Sequence, residues 1–179
     1  HRNRAAHVDD LGDGRYRDGI ISRTARPHPG GATIELELQL PLTADAYQGF
    51  RFCLLSADPP GDEARVRFEA WALRQELCMH TPAHELAKWR PDLVRLDFNP
   101  IIEVARLPDG TDLGTWTHAA IQVQADGLAS LWIDRERVAS LRTPAAFLDR
   151  PLRVGIFGRT RGTLGYVRNL AWWSEPRFR

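Results

Sequence analysis

The sequence predicts an all-β fold, a two-sheet antiparallel β-sandwich with one or two short helical turns in its connections. Three observations carry this. Apolar residues recur at a period of two, most cleanly in "ATIELELQLPL", where Ile34, Leu36, Leu38 and Leu40 share one phase and Glu35, Glu37 and Gln39 the other. Turn-forming clusters such as "ARPHPGG", "DPPGDE" and "PDGTDLG" separate these runs at regular intervals. Helical signals are scarce: only Thr81-Pro82-Ala83 and Thr143-Pro144-Ala145 resemble an N-cap threonine with proline at the first helical position. Many short strands with little helix bury their apolar faces as two stacked sheets.

Taken in order, residues 1–15 read as a flexible, Gly/Asp-rich opening segment, and residues 16–179 as one β-sandwich domain. "YRDGIIS" predicts a short first strand with a glycine kink. "ATIELELQLPL" and "FRFCLLSA" predict the next two. "ARVRFEAWAL" sets Val66, Phe68 and Ala70 against Arg65, Arg67, Glu69 and Trp71, and a phase slip near residues 73–75 predicts a bulge or turn. "LVRLDFNPIIEVARL" predicts one or two strands around Pro100. Residues 116–141 predict a hairpin at Asp126-Gly127, a dipeptide suited to a type I′ turn. "PLRVGIFG" and "GYVRNLAWW" close the chain as two strands.

A chain of 179 residues, 43% hydrophobic and 26% charged, suits one globular domain with a sizeable core. The net charge of +1, with basic residues scattered along the chain, excludes strong electrostatic steering toward nucleic acid. Lys88 is the one lysine against 23 arginines, a bias suggesting a bacterial genome of high GC content. No apolar run is long enough to span a membrane as a helix. Beginning on His1, the chain reads as part of a larger polypeptide. Cys53 and Cys78 both lie in strand-like runs, and buried thiols or a single disulfide are both open; neither cysteine has metal-ligand spacing.

The last third resembles the concanavalin A-like lectin/glucanase fold in its laminin G-like jelly-roll form. The resemblance rests on Trp116-Thr117-His118, the Asp126-Gly127 turn, Trp132-Ile133-Asp134 and the closing "VGIFGRTRGTLGYVRNLAWW". One departure is Arg135, where such domains often carry glycine. The resemblance implies a sandwich in which Trp116 packs inside and the hairpin is scaffold. It also implies a carbohydrate-binding, lectin-like module; with the bacterial bias of the composition, the expectation is an accessory domain outside the cytoplasm of a bacterium. Asp134 reads as a strand terminator that bonds local backbone N–H groups.

Glycoside hydrolysis needs two facing carboxylates. Glu35 and Glu37 have the spacing of the first step of a catalytic strand, but Gln39 and Leu40 follow, so a solvated strand face is the expectation. Asp9, Asp10, Asp13 and Asp18 among glycines offer oxygen ligands for Ca²⁺, a weak candidate because Leu11 and Ile20 break the EF-hand pattern. No other cofactor is indicated. His80 and His84 are separated by Thr81-Pro82 and read as loop residues. No nucleophile elbow or phosphate-binding loop occurs. The expectation is therefore a non-catalytic recognition module. Arg67, Glu69 and Trp71 share a strand face as a sugar-binding cluster, joined by Trp89 in a loop. The partner expected is a polysaccharide or a protein, with no nucleic acid and no membrane insertion. The alternatives are a structural or protein-interaction ectodomain and, third, a glycoside hydrolase.

Overall fold

The computed structural model describes residues 6–9, 19–22, 25, 27–40, 50–56, 76–80, 92–98, 100–158 and 164–179. Among them are twelve strands: β1 (Ala6–Asp9), β2 (Gly19–Ile21), β3 (Gly31–Gln39), β4 (Phe50–Ser56), β5 (Glu76–His80) and β6 (Leu93–Phe98), then β7 (Ile101–Arg106), β8 (Thr117–Gln124), β9 (Leu128–Ile133), β10 (Glu136–Arg142), β11 (Leu152–Gly158) and β12 (Leu164–Trp173). A 3-10 turn, Ala145–Phe147, follows Thr143-Pro144 as its proline predicts. The first sheet runs β1-β12-β3-β8-β9-β10 and the second β2-β11-β4-β5-β6-β7. Every pairing is antiparallel.

The core lies between the sheets and is built by alternation. Ile34, Leu36 and Leu38 of β3 and Ile121 and Val123 of β8 meet Phe52, Leu54, Leu77, Met79, Val94 and Leu96 of the second sheet in one cluster. Because successive side chains point to opposite faces, the same registers fix which residues face outward. Phe98 and Phe147 pack edge to face at 5.3 Å, so the 3-10 turn closes one end of the core.

Three details differ from expectation. Within the opening segment, Ala6–Asp9 pairs with β12, although four residues are too few to show a period. The β8–β9 turn is not type I′: Gly127 N–H bonds Gln124 C=O at 2.9 Å, and only Gly127 (φ 83°) is left-handed. That is a type I turn on Ala125-Asp126 followed by a glycine bulge. The two-residue turn with both φ positive is Asp134 (48°) and Arg135 (69°), between the paired Ile133 and Glu136. Trp116 is half-buried at the rim, with the Arg168 guanidinium 4.0 Å above its ring, rather than packed inside.

Candidate functional site

The outer face of the second sheet is read from its register. Arg51, Cys53 and Leu55 of β4 share the outward phase with Cys78 of β5 and with Arg95 and Asp97 of β6. One cross-strand row runs Arg51, His80, Arg95; the next runs Gly155, Cys53, Cys78, Asp97; the third sets Arg153 of β11 beside Leu55 and Glu76. At a strand spacing of about 4.8 Å, Arg51 and Arg95 stand roughly 10 Å apart at the backbone.

At the centre, Cys53 and Cys78 are directly opposed, with Cα atoms 4.1 Å apart, and form a disulfide. With Leu55 they make a small buried cluster separate from the main core. Both cysteines are therefore inaccessible to solvent, and the choice left open by the sequence falls to the disulfide. Around it sit half-buried Arg51, Arg95 and Arg153. Arg95 donates to Asp97 Oδ2 at 2.8 Å, with side-chain exposures of 12% and 17%. An Arg–carboxylate pair this shielded is charge-assisted and oriented. Because Cys53, Leu55 and Cys78 are buried, the disulfide itself touches no ligand; what this face has to offer is the guanidinium groups of half-buried Arg51, Arg95 and Arg153, which suit carboxylate or sulfate groups.

Arg67, Glu69 and Trp71 fall in the connection between β4 and β5, and Trp89 in the connection between β5 and β6. All four lie outside the described residues, as do Asp10, Asp13 and Asp18 of the calcium reading. Among the described residues, no group of three or more His, Cys, Asp or Glu side chains could hold a metal ion. The residues that sequence reasoning missed are Arg51, Arg95 and Arg153. Their signal was a solitary arginine in the outward phase of three largely apolar runs, "FRFCLLS", "LVRLDF" (where Asp97 follows in the same phase) and "LRVGIFG".

The first sheet's outer face is polar but engaged. Glu35 Oε1 accepts from Trp173 Nε1 at 2.8 Å, and its Oε2 lies 3.1 Å from His118 Nε2. Glu37 pairs with Arg168. The two glutamates are thus held in cross-strand pairs rather than freely solvated. Asp134 does not bond locally: its Oδ1 accepts from His118 N–H at 3.1 Å, and its own N–H donates to His118 C=O at 2.9 Å.

No protein-family model matches the chain, and no curated protein matches it in sequence. Solved structures do match in shape. A carbohydrate recognition domain of Emp46p superposes with a TM-score of 0.66 at 12% identity, covering 97% of this chain and 89% of that one. A heptameric SAP-like pentraxin from Limulus polyphemus gives 0.61 at 12%, over 97% and 77%. A glycoside hydrolase family 16 endo-glucanase from Bacteroides ovatus gives 0.61 at 10%, over 93% and 80%. The fold is a concanavalin A-like jelly-roll sandwich, an architecture shared by lectin domains and glucanases. At these identities the likeness defines the fold, and function rests on the site.

Proposed function

We propose that this domain is a non-catalytic carbohydrate-recognition module of a larger bacterial protein, binding glycans on the outer face of its second sheet and the adjoining connections. The observation that carries the reading is the set of three half-buried arginines around the Cys53–Cys78 disulfide. Each guanidinium carries five N–H donors, so one already engaged within the protein, as Arg95 is by Asp97, retains donors that the carboxylates of acidic glycans accept. Trp71 and Trp89, on connections flanking β5, would add stacking surfaces. The disulfide supports an oxidising, extracytoplasmic compartment. Ca²⁺ remains a candidate cofactor through the aspartates of the opening segment.

Tryptophan fluorescence titration against neutral and uronate-containing polysaccharides, with and without Ca²⁺, tests this. Saturable quenching by uronate polymers is expected, weakened about tenfold or more in Arg51→Ala, a loss typical of one charged contact. Trp71→Ala should abolish the quenching if that ring stacks on the sugar. Release of reducing ends in the same samples would instead make the domain a hydrolase. The first acid to replace would then be Asp97 of β6.

The second reading is a protein-interaction domain, and β7 favours it. This edge strand exposes Ile101 (42%), Ile102 (52%) and Val104 (48%). Among the described residues no strand pairs with the outer side of β7, and such an apolar edge is a template for pairing with another chain. A flat response to every glycan, together with concentration-dependent association lost in Val104→Lys, would select it.

A further inference from the structure

Residues 174–179 leave β12 and turn back across the outer face of the first sheet. Their seat is built in detail. Thr33 Oγ1 donates to Glu175 C=O at 2.8 Å and accepts from Arg177 N–H at 3.2 Å. Gln122 Oε1 accepts from the N–H groups of Arg177 and Phe178, each at 2.7 Å, while its Nε2 donates to Phe178 C=O at 2.9 Å. The Phe178 ring stacks on Trp132 at 5.1 Å and lies 5.9 Å from His118. Between those walls the strand position is Ala120, which faces Trp132 in the register. Arg177 places its guanidinium 4.2 Å over Trp173. Pro176 rests against Gly31: a Cβ there would come within 2.9 Å of the proline ring.

The burial pattern shows what this segment covers. Thr33 and Gln122 point away from the core, yet they are 0% and 1% exposed. Buried outward-facing polar groups need partners, and here the partners are main-chain groups of residues 175–178. Side chains that read consecutive peptide N–H and C=O groups recognise an extended backbone, and the Trp132/His118 slot adds selection for an aromatic ring. Sugar hydroxyls have no such repeat. The occupant lies on the surface: residues 174–177 are exposed and Phe178 is half-buried, so its contacts are the ones just named rather than the sandwich core. Trp132 Nε1 and His118 Nδ1 are buried without a hydrogen-bond partner beside it. Local opening of such a segment costs far less than unfolding the sandwich.

We propose that the groove formed by Gly31, Thr33, His118, Gln122, Trp132 and Trp173 is a recognition site for extended peptides carrying arginine followed by an aromatic residue. The chain's own residues 174–179 fill it as an internal competitor. A partner presenting the same chemistry binds by exchange, on the sheet opposite the arginine face, so this site stands or falls apart from glycan binding.

The test uses the full chain with Phe178→Ala and a capped synthetic hexapeptide, Ser-Glu-Pro-Arg-Phe-Arg, followed by titration calorimetry and tryptophan fluorescence. Saturable one-to-one binding is expected, about tenfold tighter than to the unaltered chain, because the internal competitor is weakened. Binding should vanish when the peptide's Phe is replaced by Ala, and when Gln122→Met or Trp132→Leu is added in a variant that keeps a cooperative thermal transition. No binding to the Phe178→Ala chain, or equal binding of the peptide lacking its Phe, overturns the proposal. Quenching of that chain by a soluble glycan but not by the peptide overturns it too, and reassigns the groove to sugar.

Discussion

At the residue scale, backbone conformation decides more than composition. Arg135 holds φ 69° at the second position of a type I′ turn, where glycine is favoured because any Cβ is crowded. Arg135→Gly should stabilise the domain by about 0.5–1 kcal/mol, read from chemical denaturation. Gly127 is the opposite case. It has φ 83°, and a Cβ would meet the carbonyl oxygen of Thr143 at 2.4 Å, so Gly127→Ala should cost about 2–3 kcal/mol. Next to it, the backbone N–H of Leu128, at 3.0 Å, holds the Asp126 carboxyl below its usual range, with Arg142 assisting at 2.9 Å. A depressed carboxyl stabilises the fold at neutral pH, and that contribution fades as pH falls through its folded pKa. The denaturation midpoint of Asp126→Asn should therefore lie below the parent at pH 7 and approach it toward about pH 2. The sequence pointed to Asp126-Gly127 as a turn but assigned its type to the wrong dipeptide. Dipeptide preference does not count the residues between paired positions, and the register does.

At the element scale, strands with one buried face were legible and strands with weak contrast were not. β3, β8 and β9 followed their periodicity, since one-residue slips would have turned Leu36 or Ile121 out of the core. β1 was missed because "AHVD" carries one large apolar residue. The arginine face was legible only as an outward phase. Its cross-strand rows exist because β4, β5 and β6 lie side by side, and pairing order is not written in any single strand. The link between β4 and β5 is also covalent. Closing a loop over a separation of 25 residues restricts the unfolded chain and contributes about 3–4 kcal/mol. Replacing both cysteines with alanine should lower stability by roughly that amount, while dithiothreitol should act slowly on the folded parent because both sulfurs are buried.

At the scale of the whole molecule, the sandwich separates three surfaces. The second sheet presents arginines, the first is crossed by residues 174–179, and β7 leaves an apolar edge. A net charge of +1 and a sequence pI near 8.1 leave little long-range repulsion between copies at neutral to mildly alkaline pH. Association through the β7 edge should then rise with concentration near pH 8. Val104→Lys should suppress it, as light scattering would show, because an edge lysine opposes strand addition.

The Cys53–Cys78 bond has a last consequence, for what happens after the chain is cut. The peptide between those cysteines forms a covalent ring, so a protease cleaving anywhere within residues 54–77 opens the ring without releasing either end. The nicked molecule keeps its mass apart from one added water, and β4 and β5 stay tethered in register. Only a reductant would separate the pieces. In an oxidising setting such a domain outlives a cut in that connection, and its survival becomes a matter of redox chemistry rather than of an intact backbone.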